Sequence, residues 1–206
     1  MSQEVYGNYE GGYRQAVELL AAGDPKLMAE CSGTGFDEEK SRFSVNYCNR
    51  SYYVSFPQGE VTSPAEYVNN ADKQILAYYL ARASGLPLRN KWLSFMQLPG
   101  GPHHYALFKQ EAIDPLAVKF GRHMGIFKSI AEGMGGTPIK SGDAGYSIPV
   151  LPKIPLGVVI WAGDEDFSAS ANIVFDDSAA TYLSTDTLYL LGIQLSLKIR
   201  WRLQEF

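Results

Sequence analysis

Residues 43–56 read Phe-Ser-Val-Asn-Tyr-Cys-Asn-Arg-Ser-Tyr-Tyr-Val-Ser-Phe. Phe43, Val45 and Tyr47 recur at every second position, and Tyr52, Val54 and Phe56 do so again after Asn49-Arg50. A period of two on either side of a turn predicts an antiparallel hairpin with one face buried. Working outward, Asp24-Pro25 couples a capping carboxylate to a proline suited to the first helical position, so 26–32 reads as a helix stopped at Gly33. Ahead of it, 13–22 is an amphipathic helix with Ala16, Val17, Leu20 and Ala21 on one face, and 34–41 is a polar loop. Beyond the hairpin, 72–84 forms a helix with Ile75, Leu76, Tyr79, Leu80 and Ala83 in one stripe, closed by Gly85 and Pro87.

A similar order returns later in the chain. Residues 156–161 are a continuous apolar run fit for a central strand, Gly163-Asp164-Glu165-Asp166 is a hairpin loop, and 171–175 is the returning strand. Ser184 or Thr185 caps a last helix buried on most sides, because Leu188, Leu191, Leu195 and Ile199 form one stripe and Leu190, Ile193 and Leu197 a second. Ile148, Val150 and Ile154 lie among three prolines, which suits an edge strand or an irregular crossover. In the middle, 92–96 is extended and runs into Pro99-Gly100-Gly101-Pro102, a turn without room for a helix. Asp114-Pro115 repeats the cap-plus-proline start for a helix to Phe120, and 124–134 is another, ended by Gly135-Gly136. The fold class is therefore α+β: antiparallel hairpins with amphipathic helices, 1–206 as one compact unit with two pseudo-related halves at about 25–84 and 124–200. Tyr53-Val-Ser-Phe56 and Asn172-Ile-Val-Phe175 hold similar places in a divergent duplication; the plainer reading is that hairpin-then-helix is common in α+β domains.

With 206 residues, 46% of them hydrophobic and 19% charged, the chain can bury a core unaided. A formal charge of -4 without blocks of like charge argues against nucleic acid and anionic membrane as partners. No apolar run approaches the roughly 20 residues that span a bilayer. The polar, Gly-rich start is unlike a signal peptide, so a cytoplasmic location is expected. Cys31 and Cys48 are too few for a four-cysteine zinc or iron–sulfur site within one chain.

All three histidines, His103, His104 and His123, fall in the middle segment, the last beside Met124. An imidazole can be an axial ligand for cobalt or haem iron; the plainer reading is surface or turn histidines, since no metalloprotease or haem-attachment spacing is present. Trp92, Tyr105 and Phe108 offer apolar bodies with polar edges that suit a flat macrocycle or an ordinary core. Asp164, Glu165 and Asp166 could bind a divalent cation or do acid–base work, but adjacent turn acids point different ways and form no calcium-loop pattern. Gly133, Gly135 and Gly136 end a helix rather than open one, so they are a C-cap and not a dinucleotide fingerprint. Phosphate-loop and nucleophile-elbow motifs are missing.

The run from Tyr146 to Gly192, with Ile148-Pro-Val-Leu-Pro-Lys-Ile-Pro-Leu156, Trp161-Ala-Gly-Asp-Glu-Asp-Phe167, Ala171-Asn-Ile-Val-Phe-Asp-Asp-Ser-Ala179 and Tyr182-Leu-Ser-Thr-Asp186, resembles an uncharacterised family. It is the domain-of-unknown-function family of strictly anaerobic bacteria and archaea, some members of which carry a four-cysteine iron–sulfur domain like that of corrinoid iron–sulfur proteins. The 53–59 strand end and the segment Trp92-Leu-Ser-Phe-Met-Gln-Leu-Pro-Gly-Gly101 extend the resemblance over nearly the whole chain. The resemblance implies an anaerobic cytoplasmic setting near corrinoid or one-carbon metabolism and brings no catalytic residues with it. The expected function is a non-catalytic accessory protein binding a corrinoid (cobalamin) or haem-like tetrapyrrole, through His103, His104, His123, Met124, Trp92, Tyr105 and Phe108 in the cleft between the halves. The alternatives are an enzyme with a histidine proton carrier paired to Asp164 or Glu165, and a scaffold for a corrinoid or iron–sulfur partner. The scaffold reading expects an exposed apolar patch from 148–155 and the terminal Trp201, Leu203 and Phe206.

Overall fold

A computed structural model describes residues 4–205. Two antiparallel sheets carry seven helices between them, an α+β fold. Helices α1 (Glu4–Ala21) and α2 (Pro25–Ser32) precede the first sheet, β1 (Gly35–Asp37), β2 (Arg42–Tyr47), β3 (Arg50–Ser55) and β4 (Val61–Thr62), in simple meander order, and α3 (Asn70–Arg82) follows it. The second sheet runs β5 (Trp92–Ser94), β9 (Ser170–Asp176), β8 (Ile154–Trp161), β7 (Ala144–Leu151), β6 (Thr137–Pro138). Helices α4 (Gly101–Phe108), α5 (Asp114–Phe120) and α6 (Met124–Gly133) lie in sequence between β5 and β6, and α7 (Thr185–Arg202) closes the chain. A short helix, four consecutive antiparallel strands and a long helix thus occur twice: α2, β1 to β4, α3, and α6, β6 to β9, α7. Tyr53–Phe56 fall at the third strand of the first run, and Asn172–Phe175 on the fourth strand of the second. Strands β2 and β7 touch, α3 packs on α7, and one hydrophobic cluster runs through both halves.

The first hairpin alternates as its sequence demands, with Phe43, Val45, Tyr47, Tyr52 and Val54 buried. Its turn lies one residue earlier than Asn49-Arg50. Cys48 and Asn49 both take left-handed backbone, φ 51° and 60°, as the two-residue hairpin turn that matches strand twist requires. The tip is held by the other half: Cys48 N–H donates to Val150 O (2.9 Å), Asn49 Nδ2 to Gly133 O (3.0 Å) and Arg202 Nη2 to Cys48 O (2.6 Å). Gly35–Asp37, expected as loop, adds a short edge strand to β2.

Three expectations about the middle and second half are corrected. Residues after Pro99-Gly100 do not stop at a turn; α4 begins at Gly101 with Pro102 in its first turn, where no intrahelical N–H is lost. At Asp114-Pro115 the chain does not restart but continues from α4 through a π-helical stretch, Lys109–Ile113. A proline ring collides with the carbonyl four residues back, and a wider turn relieves that collision; Asp114 pairs with the Lys109 ammonium instead of capping. Strand β7 lies between β6 and β8, but β6 reaches only Tyr146 and Ser147, so the proline-bearing 148–151 pairs with β8 alone, with an irregularity between Pro149 and Leu151. The exposed patch expected there is the third correction: Ile148, Val150, Leu151 and Ile154 are buried. Trp201 is half exposed, Leu203 packs against the core, and Phe206 lies outside the described residues.

Replacing Asn49 by Ala puts a side chain without local hydrogen bonding at φ 60° and removes the bond to Gly133. We expect a loss of about 1–3 kcal/mol, from left-handed strain plus one hydrogen bond, read as a lower urea midpoint at unchanged slope.

Candidate functional site

The chemistry-bearing side chains gather in two places, one sealed and one open. The sealed one lies where the halves meet. Lys198 of α7 is 2% exposed, and its Nζ donates to the Tyr52 hydroxyl (2.8 Å), to Glu66 Oε1 (3.3 Å) and to Asp72 Oδ2 (3.3 Å). Tyr52 in turn donates to Glu66 Oε1. The ammonium also sits 4.8 Å and 5.3 Å from the ring centroids of Tyr47 and Tyr52, a favourable place for a cation that has left water. Asp72 is fully buried in the first turn of α3, which is capped by Asn69, and Asn69 Nδ2 reaches across to Gln194 Oε1 of α7 (3.0 Å). The Tyr47 hydroxyl and Asp72 Oδ1 are buried without a hydrogen-bond partner among the described residues.

Burial dominates the electrostatics here. It raises the Asp72 carboxyl, a rise that the Lys198 charge partly offsets. It lifts the Tyr47 and Tyr52 phenols, with the Asp72 charge adding to both, and pushes the Cys48 thiol up to about 12. A thiol so raised is no nucleophile at neutral pH. Glu66 is the member that reaches solvent, with 25% of its side chain exposed. Perturbed groups of this kind accompany active sites and structural ion pairs alike. With Lys198 and Asp72 both out of reach of solvent, this cluster has the form of an ionic joint.

The open place is a cleft of about 400 Å³ between the end of α5 and the 163–169 loop, with Val118, Arg122, Asp164, Glu165, Asp166 and Phe167 among its walls. Val118 is 86% and Phe167 73% exposed, unusual for large apolar groups. The loop is rigidly shaped where Asp164 Oδ1 accepts from the Asp166 and Phe167 amides (2.9 and 2.7 Å), so that carboxylate is spent on its own turn. Gly121 admits the loop closely, since a β-carbon there would lie 2.1 Å from that of Ala169.

The residues read from sequence as ligand contacts are spread over several elements. His123 is exposed at the N-cap position of α6, directly after the cleft residue Arg122, and Met124 is half-buried behind it. His103 and His104 are exposed on α4; the His104 ring stands 6.5 Å from that of Tyr189, which donates to Glu111 in the π-helical stretch. Trp92 is half-buried on β5, and Tyr105 packs partly buried against the core. Phe108 is fully buried, stacked on Phe95 at 4.2 Å between centroids, and its ring fills the notch at Gly192 of α7, where a β-carbon would come within 2.5 Å. The space between the halves holds this core and the Lys198 cluster. Among the described residues no hydrogen bond joins a histidine to a carboxylate, and no group of three or more His, Cys, Asp or Glu is placed to hold a metal ion. Lys198 itself escaped the sequence reading, although a helix with two apolar stripes leaves little outer face for Gln194, Ser196 and Lys198, all three of which are buried.

Removing the cation alone should be severe. Lys198→Met leaves Asp72 buried without its counter-charge, and we expect a loss of about 3–5 kcal/mol. Adding Asp72→Asn should recover part of it at pH 7. Because the folded-state pKa of Asp72 lies above its unfolded value, protonation favours the fold, and its contribution grows as pH falls. The stability gap between Lys198→Met and the double variant should therefore narrow from pH 7 to pH 5 in urea titrations; a gap that widens would contradict the assignment.

The family model described as a domain of unknown function (DUF3786) matches residues 24–198, from the cap of α2 to the buried lysine of α7. Comparison with curated proteins and with solved structures gives no match. The match spans both sheets and all but the first helix and the last turn of α7, and the chain belongs to this family, DUF3786, a domain of unknown function.

Proposed function

We propose that the protein is a non-catalytic, cytoplasmic accessory protein of anaerobic one-carbon metabolism that holds a corrinoid at the cleft beside His123. The supporting observation is an open cleft walled by two exposed apolar side chains and one cation, Arg122, with the exposed imidazole of His123 next in the chain after that arginine. The anaerobic setting and the corrinoid come from the sequence resemblance. When bound, a corrinoid would supply a cobalt centre that can take an imidazole ligand and carry a one-carbon group. His123 would hold it through its imidazole, Phe167 and Val118 would cover an apolar edge, and Arg122 would hold a polar substituent. Asp164, Glu165 and Asp166 on the opposite wall outnumber Arg122, which favours the amide-fringed corrin over haem, whose carboxylates they would repel. A corrinoid or iron–sulfur protein is the expected partner. No helix among the described residues is long and apolar enough to cross a membrane.

The test is retention of colour. Purified protein mixed with hydroxocobalamin, and separately with haemin, is desalted and its visible spectrum recorded. Cobalamin should stay with the wild type and be lost from His123→Ala, while His103→Ala/His104→Ala retains it. Haemin should be held more weakly. No retained cobalamin overturns the function, and loss only from the α4 double variant overturns the cleft as its place.

A further inference from the structure

Helix α1 stands apart from the domain to which it is attached. The family match begins at residue 24, after α1, and the residues it covers already contain both sheets, α3, most of α7 and the ionic joint between them. Yet the most extensive helix–helix contact among the described residues is α1 along α3. Within residues 10–21 of α1, Ala16 and Leu20 are buried, Tyr13 packs against the core and donates to Gly59 O (2.7 Å), and Tyr78 of α3 donates to Gln15 Oε1 (2.8 Å). Glycines 7, 11 and 12 sit inside the helix, where glycine is among the poorest helix formers, so α1 depends on its seat to stay helical. At Gly12 a β-carbon would fall 2.7 Å from the Gln74 carboxamide, the movable end of its side chain, which would have to shift aside. That approach leaves Gln74 Oε1 buried without a hydrogen-bond partner, a seam not fully satisfied.

We infer that α1 is a displaceable strap, an intramolecular occupant of a helix-binding groove that α3 and the Gly59 turn present on an otherwise complete domain. The groove takes an amphipathic helix with small residues at its closest approach, and α1 is the occupant on hand. Opening it unwinds α1 and frees Gln74 and Tyr78 without touching Lys198. This inference does not rest on the corrinoid reading.

Hydrogen exchange of the intact protein is the first measurement. Amides of residues 13–21 should exchange at least tenfold faster than those of 75–80 and 188–199; a common rate, meaning a single opening step, overturns the strap. The second uses Ala16→Glu/Leu20→Glu. It should keep a cooperative thermal transition and near-UV circular dichroism while losing protection in 13–21, and it should bind a labelled synthetic peptide of residues 4–21 at least tenfold more tightly than the wild type, whose groove is filled. Loss of the cooperative transition makes α1 an integral part of the core. A folded variant that ignores the peptide shows that there is no groove. Either result overturns the inference.

Discussion

A single ammonium group buried between the last helix and the first half of the chain constrains much of this molecule. Taking a lysine out of water is unfavourable by several kcal/mol unless anions and hydrogen-bond acceptors meet it. Lys198 finds two carboxylates and a phenol, each from a different element of the first half, while it stands on the last helix of the second. The register of α7 against α3 and the hairpin is thereby limited to arrangements that bring Asp72, Glu66 and Tyr52 together. Such a cluster adds less to net stability than to uniqueness, because an apolar replacement of the same shape could pack as well but would not select one alignment.

The hairpin tip supplies the second constraint on how the halves meet. Backbone at Cys48 and Asn49 is left-handed; β7 and Arg202 satisfy the Cys48 main-chain N–H and C=O, and the Asn49 side-chain amide donates to Gly133 O at the end of α6. Tyr79 does the same on the far side of the seam, donating to Ser32 O (2.5 Å) and accepting from the Lys153 amide (3.0 Å). Ionic, main-chain and phenolic contacts thus hold the halves together around one continuous apolar core.

The surface around α4 and α5 is shaped by the π-helical stretch ahead of Pro115. It keeps α4 and α5 continuous, carries Phe108 inward to Gly192, and leaves His103, His104 and Leu107 outside. The cleft by His123 follows from a second close approach, at Gly121, which allows the acidic loop to settle beside α5.

Local pattern determined much of the fold by itself. The alternation in residues 43–56, the Asp24-Pro25 start of α2 and the two stripes of α7 each name an element whose side chains decide its period, and these elements exist as read. The α+β class follows from their order. Tertiary structure alone decided the rest. The proline-bearing part of β7 pairs with β8 alone and shifts register between Pro149 and Leu151, and the Asp114-Pro115 junction is a wide turn because the proline falls within one continuous run of helix from α4 to α5. Of the candidate ligand residues, Phe108 went to the core and the three histidines to the exterior, a partition set by which helix face meets α7 rather than by residue type. Lys198 is the clearest case: the two stripes of α7 leave it little outer face, but its partners lie 126 to 146 residues away along the chain and come within reach only when the halves close.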